Sequence, residues 1–147
     1  MFPCTGSTSN CKSPTTQVGE ITDFLLANKI NVTRLWLDIE PPAPSSPCHG
    51  WDFSKDENLA LAKEFVSAVK ATGLKWGVYA NGNQWTAMFP SRDSDVASDL
   101  PLWAVQFDGV PTIGSVDTFM GGWTTAFAKQ YGSSMWAPFP PWRHTRN

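Results

Sequence analysis

The chain of 147 residues has the length of one domain, and its 41% hydrophobic and 16% charged residues are typical of a globular protein. Eleven basic and thirteen acidic residues give a net charge of −2, which does not suggest a nucleic acid partner. No apolar run reaches the roughly 18 residues of a membrane span, and the amino terminus shows no signal-peptide pattern.

The first quarter of the chain predicts a helix followed by a strand. Apolar residues have helical spacing over 16–28, with Thr15 or Thr16 as the cap and Asn28 near the end. The short apolar run 32–37 is typical of a buried strand, and a proline-rich segment follows it.

The remainder predicts a second helix and then mainly strands. Ser54 opens the helix with capping-box spacing, and Gly73 ends it at the usual glycine position. Strands are predicted over 75–79, 102–107 and 126–131, with a short helical turn over 85–89. Strands that alternate with helices of this length predict parallel βαβ units and an α/β fold. Residues 132–147 fit no regular pattern and are predicted to be an irregular tail.

Two carboxylic acids, Asp38 and Glu40, follow the first predicted strand. In parallel α/β proteins the active sites lie at such strand ends, and the i, i+2 spacing puts both side chains on one side of an extended chain. Neighbouring carboxylates resist double ionisation, so one pKa should rise, and a protonated carboxyl can protonate the leaving oxygen of a glycosidic bond. The same spacing also occurs by chance with both acids in water, so it leaves both interpretations open.

Four segments carry a resemblance. They are W-L-D-I-E at 36–40, W-G-V-Y at 76–79 with Trp85, P-L-W at 101–103 leading to Asp108, and G-G-W at 121–123 with K-Q-Y at 129–131. In this order they resemble glycoside hydrolase family 25, the Chalaropsis-type lysozymes, and in particular its invertebrate and protist-like members. The resemblance covers residues 1–131 and implies a domain there that is a partial TIM-like (β/α) barrel.

The resemblance implies an enzyme that cleaves the β-1,4 bond between N-acetylmuramic acid and N-acetylglucosamine in bacterial peptidoglycan. It implies Glu40 as the general acid and Asp38 as its partner. The residues expected to bind substrate are Tyr79, Trp103, Gln106, Trp123 and Tyr131. The full-length protein is expected to be extracellular or phagosomal/lysosomal and to act in defence against bacteria. We expect a monomer without cofactor or metal, and no nucleic acid or membrane partner.

The chain also departs from the family pattern. Acids that the family carries on its first and last barrel strands are missing, and Gln106 and Phe107 stand where the family tends to have His and Tyr. We therefore expect a chain truncated at both ends, whose activity is open. Two alternatives remain: a non-catalytic or vestigial glycan-binding domain, and a chitin-active glycosidase of another barrel family.

Three cysteines, Cys4, Cys11 and Cys48, leave at least one without an internal partner. Cys4 and Cys11 are close enough to bridge, but we expect one of them to pair with Cys48. Asn31 begins an N-glycosylation sequon, and together these features favour an extracellular origin. Trp36, inside the first predicted strand, is expected to lie in the core.

Overall fold

The computed structural model describes residues 1–8, 10–43 and 50–132. Cys48 and the predicted tail beyond Gly132 lie outside these residues. In chain order the elements are α1, β1, α2, β2, a short α3, β3, a 3-10 turn and β4.

Helix α1 spans Pro14–Ala27 and begins earlier than predicted. Ser13 is the N-cap, not a threonine, because its hydroxyl accepts a hydrogen bond from the backbone N–H of Thr16 at 3.2 Å. The proline that follows Ser13 suits the first helical position, where no N–H is needed and its fixed φ is already helical. Asn28 is the C-cap, as predicted.

Strand β1 spans Leu35–Ile39 and lies later in the chain than the predicted run 32–37. Parallel pairing with the next strand starts only at Leu35, opposite Trp76, whereas Val32 is 41% exposed. Because a β-strand requires a hydrogen-bonded partner strand, β1 begins at the first residue that pairs with the next strand and not at the start of the apolar run. Asp38 therefore lies inside β1 instead of beyond it.

Helix α2 spans Lys55–Ala71 and confirms the predicted boundaries. The Ser54 hydroxyl accepts from the backbone N–H of Glu57, whose carboxylate accepts from the Ser54 backbone N–H at 3.0 Å. This reciprocal pair is the predicted capping box. Gly73 follows the helix with φ +70°, a conformation that glycine adopts without steric cost.

The sheet confirms the predicted α/β class. Its strands are β1, β2 (Trp76–Ala80), β3 (Leu102–Val105) and β4 (Ala128–Gln130), paired in that order and all parallel. Helix α3, Trp85–Met88, confirms the predicted turn after β2. Four parallel strands in chain order are consistent with part of a TIM-like barrel, and their carboxyl ends share one edge.

The two faces of the sheet differ in burial. Leu37 and Ile39 are fully buried in one hydrophobic cluster with Phe65 and Val69 of α2. The alternate residues of β1, including Trp36 and Asp38, point to the other face and are half-buried. This second face carries the polar and aromatic side chains of the candidate site.

Gly77 allows the indole of Trp36 to cross β2 on this second face. A Cβ at Gly77 would collide with the Trp36 ring and lie 2.7 Å from the Pro101 carbonyl oxygen. We expect Gly77→Ala to cost about 1–3 kcal/mol of unfolding free energy, as overpacking does, and to change the near-UV circular dichroism of tryptophan. Gly19→Ala in α1 is the control, since no atom lies within 4 Å of its Cβ and alanine adds about 1 kcal/mol of helix stability. Urea denaturation that gave both variants the same sign would contradict this role of Gly77.

Candidate active site

Asp38 and Glu40 lie at the carboxyl end of β1, and both are half-buried. Asp38 Oδ1 is shielded from solvent and has no hydrogen-bond partner among the described residues. The backbone N–H of Asp38 donates to the carbonyl oxygen of Met1 at 2.8 Å, so the amino terminus runs beside β1. Backbone pairing therefore fixes Asp38, while its carboxyl group remains available for chemistry.

The surroundings favour the protonated form of both acids. Burial, followed by the negative charge of Glu40, raises the pKa of Asp38 to about 7, and the ammonium of Met1 opposes this shift. Burial also raises the pKa of Glu40 above its usual value. Two such carboxyls titrate as a pair, so the site retains a proton well above the pH at which exposed acids lose theirs.

The raised pKa of Asp38 has a consequence for stability. Between its unfolded value near 4 and about 7, the folded protein binds this proton more tightly than the unfolded chain, so stability falls as the pH rises through that range. We expect Asp38→Asn to raise the melting temperature at pH 7–8 relative to wild type, with a difference that shrinks toward pH 4. Calorimetry across this range is the measurement. A pH-independent difference would show that charge is not the cause.

Tyr79 stands beside Asp38 on the neighbouring strand, since the two residues are register partners. Its hydroxyl donates to Gln130 Oε1 at 2.6 Å, and its ring makes an edge contact with Trp103 at 5.1 Å between centroids. Burial, then the charges of Glu40 and Asp38, raises the pKa of Tyr79 to about 12. The phenol therefore stays neutral, and its oxygen can accept a further hydrogen bond.

A cavity of about 590 Å³ opens on this face of the sheet. Its lining residues are Met1, Arg34, Leu35, Trp36, Asp38, Tyr79, Trp103 and Gln130. The predicted core position of Trp36 is wrong, because the side chain lies half-buried in this lining and makes an edge contact with Trp103 at 5.5 Å. Trp36, Asp38 and Glu40 are spaced two residues apart, and this spacing is the sequence signal that could have placed Trp36 on the same face as the acids.

Three of the five predicted substrate-binding residues do not line the cavity, namely Trp123, Tyr131 and Gln106. Trp123 is 6% exposed, donates its indole N–H to Leu100 O at 2.7 Å and packs against Trp85, so it belongs to the core. Tyr131 follows β4 and is 40% exposed, outside the cavity lining. The structure thus brings Tyr79 and Trp103 to the acids but not Trp123 or Tyr131.

Gln106 also has a different role from the one predicted. Its amide group donates to Asp108 Oδ2 and Ser115 O, and its carbonyl oxygen accepts from the backbone of Asp117 and the hydroxyl of Thr118. All four hydrogen-bonding positions of the amide are therefore occupied. The side chain fixes the loop after β3 and has no capacity left for a sugar.

A second contact fixes the same loop. The ammonium group of Lys129 is almost fully buried and donates to both carboxylate oxygens of Asp108, to Val110 O and to Ser115 Oγ. The hydrogen bond from Lys129, the largest influence, lowers the pKa of Asp108 to about 2. The Lys129 side chain of β4 therefore fastens the loop after β3 at several points.

The disulfide is Cys4–Cys11, so the preferred pairing with Cys48 is wrong. The 5.5 Å between their Cα atoms suits a bridge, and Gln17 holds the loop in shape through both backbone groups of Cys4. Asn31 is exposed beyond α1, at the opposite end of β1 from the acids. Its glycosylation stays a prediction.

Within residues 1–8, 10–43 and 50–132, no three His, Cys, Asp or Glu side chains form a group that could hold a metal ion. In the same residues, none of the helices is both long and apolar enough to cross a membrane.

Comparison with known proteins adds a family. A family model described as Lysozyme-like protein 1 matches residues 1–131. Probable GH family 25 lysozyme 2 of Dictyostelium discoideum is 32% identical over 131 residues, which are 89% of this chain and 55% of that protein. Lysozyme-like protein 5 of Caenorhabditis elegans is 31% identical over 138 residues, 94% of this chain and 59% of that protein. The chain thus spans little more than half the length of these relatives. No solved structure matches it.

Proposed function

The chain belongs to the family described as Lysozyme-like protein 1, with relatives named as probable GH family 25 lysozymes, and from this premise we propose that it carries part of the active site of a muramidase. The bond cleaved is the β-1,4 linkage between N-acetylmuramic acid and N-acetylglucosamine in peptidoglycan. Glu40 is the general acid and Asp38 is its partner. Because the chain covers about half of each relative, the muramidase activity of the whole protein is itself proposed.

The observation that carries the proposal is the carboxyl pair at the end of β1. Both acids have a raised pKa, which is the condition for holding a proton near neutral pH and donating it to a leaving oxygen. The cavity lining adds the aromatic ring of Trp103, and flat rings of this kind suit the faces of sugars. Charge and shape at one strand end thus support glycoside hydrolysis.

The proposed reaction gives the two acids different roles. Glu40, one residue beyond β1, has the longer side chain and gives its proton to the glycosidic oxygen as the bond to the anomeric carbon breaks. Asp38, which lines the cavity, orients the acetamido group of the sugar or, in its ionised form, stabilises the positive charge that develops there. Water supplies the hydroxyl for the anomeric carbon and a proton that restores the acid.

The disulfide supports a location for the protein. Disulfides such as Cys4–Cys11 persist in oxidising compartments and are rare where thiols are kept reduced. We therefore extend the proposal to an extracellular or phagosomal/lysosomal protein that acts on bacterial walls.

The proposal is tested by incubating the protein with purified peptidoglycan and identifying the products by mass spectrometry. We expect fragments with N-acetylmuramic acid at the new reducing end. The double variant Asp38→Asn/Glu40→Gln is the blank. Binding to peptidoglycan without any new reducing end would favour a glycan-binding domain, and cleavage of chitin but not peptidoglycan would favour a chitin-active glycosidase.

A further inference from the structure

Gln130, the last residue of β4, reaches the cavity from a strand that the sequence prediction connected to the site only through Tyr131. Gln130 is the register partner of Val105, and Tyr79 lies two strands away on β2. Their side chains nevertheless meet over β3, where the Tyr79 hydroxyl donates to Gln130 Oε1 at 2.6 Å. The bond ties the far strand of the sheet to the residue beside Asp38.

This bond uses only half of the Gln130 amide. Oε1 accepts from Tyr79, and the Nε2 amino group has no hydrogen-bond partner among the described residues. Gln130 is half-buried and lines the cavity with Asp38 and Trp103. Gln106, by contrast, has every position occupied, so the two glutamines at neighbouring strand ends differ in their capacity to bind a ligand.

We propose that Gln130 is a further substrate-contacting residue of this site: its carbonyl oxygen fixes the Tyr79 hydroxyl, and its free N–H groups bind an acceptor oxygen of the sugar. The inference rests on the proposed function, because it takes the ligand to be a carbohydrate. An amide suits this position since it donates hydrogen bonds without adding a charge beside Asp38 and Glu40.

The same geometry sets the direction of the Tyr79 hydroxyl. With its proton directed to Gln130, the phenol oxygen presents lone pairs to the cavity. A sugar hydroxyl can therefore donate to Tyr79 while a sugar oxygen accepts from Gln130. The two side chains together form one donor and one acceptor, which is a pattern that recognises a polar, uncharged ligand.

The test uses side-chain amide signals in ¹H–¹⁵N NMR spectra during titration with a soluble N-acetylglucosamine tetramer. The Gln130 signal is assigned by its loss in Gln130→Glu, and the Gln17 signal is the internal control, since Gln17 bonds to Cys4 and Lys12 away from the cavity. We expect the Gln130 signal to move on addition of the sugar and the Gln17 signal to stay.

Two substitutions distinguish a Gln130 that only positions Tyr79 from a Gln130 that contacts the sugar. Gln130→Glu keeps an acceptor for Tyr79 but loses the donors, and Gln130→Met loses both without adding charge. If the amide contacts the sugar, both variants bind the tetramer about tenfold more weakly, the effect of one hydrogen bond. A structural role would instead spare Gln130→Glu, because Tyr79 stays bonded.

The outcomes are distinct. Binding of the sugar with an unmoved Gln130 signal, or with full affinity in Gln130→Glu, overturns the inference and leaves the proposed function intact. A moved signal without hydrolysis of peptidoglycan supports the inference and counts against the enzyme. Absence of both binding and hydrolysis in the wild type overturns both proposals.

Discussion

Glu40→Gln is expected to lower the rate of peptidoglycan hydrolysis by about 10²- to 10⁴-fold, the usual contribution of a general acid. Glutamine keeps the size of the side chain and can hydrogen-bond to the glycosidic oxygen, but it has no acidic proton to transfer. KM should therefore change little while kcat falls. The measurement is the release of reducing ends from purified peptidoglycan at several substrate concentrations.

A substrate with a good leaving group makes this prediction specific. An aryl glycoside whose phenolate leaves without a proton does not need the acid, so Glu40→Gln should retain most of its activity on that substrate. Asp38→Asn should be impaired on both substrates because it removes the group that stabilises the sugar. The control is Glu64→Gln, an exposed acid of α2, and it should behave as wild type. If Asp38→Asn, not Glu40→Gln, regained activity on the aryl glycoside, the roles of the two acids would be exchanged.

The pH profile gives a second measurement of the same pair. Protons on two interacting carboxyls belong to the pair and not to one residue. The pair loses its last proton near the pKa of Asp38, about 7, so Glu40 can then no longer donate and hydrolysis should fall as the pH rises through that value. In Glu40→Gln this basic limb should be lost, since no proton is then transferred to the leaving oxygen. A basic limb that persisted unchanged would indicate another acid.

Asn58→Asp is expected to cost about 3–5 kcal/mol of unfolding free energy at pH 7, the penalty for an uncompensated buried charge. Asn58 is 1% exposed, and its Nδ2 donates to Trp51 O at 2.8 Å, Phe53 O at 3.3 Å and Met88 O at 3.1 Å. Aspartate removes both donors and places an acid among three carbonyl oxygens. Because burial raises the pKa of this new carboxyl, the destabilisation should grow as the pH rises above about 4.

The effect should extend to the segments that follow β1 and β2. Asn58 joins the segment after β1, through Trp51, to α3 after β2, through Met88. Trp51 has a left-handed backbone with φ +55°, and its N–H is held by the buried hydroxyl of Thr5. Loss of Asn58 removes one of the restraints on that strained residue, which also packs against Phe89.

Urea denaturation at pH 4 and pH 7 measures this prediction. Asn58→Ala should cost about 1–3 kcal/mol without pH dependence, because it leaves carbonyl groups unpaired but adds no charge. Asn83→Asp makes the same chemical change at an exposed position and should leave stability unchanged. Equal stability of Asn58→Asp and Asn83→Asp would mean that the three hydrogen bonds are unimportant.

The elements that depend on interactions between residues close in the sequence were predicted correctly. The capping box of Ser54 and the glycine at 73 fixed α2, and both are interactions between residues close in sequence. Strand boundaries were less accurate, because β1 begins where β2 offers a partner and not where the apolar run begins. The disulfide was misassigned for a similar reason, since the positions of three cysteines in the sequence do not reveal which two are bonded.

The sequence alone determined the α/β class, the parallel order of strands and the Asp38/Glu40 pair at the end of β1, because periodicity, capping and i, i+2 spacing are properties of the chain. Only the tertiary structure decided which side chains meet these acids. It brought Gln130 to Tyr79 and Trp36 to the cavity, and it removed Trp123 to the core and Gln106 to a loop. The Tyr79–Gln130 hydrogen bond joins residues 51 positions apart in the chain, and no local pattern encodes which side chains meet across a sheet.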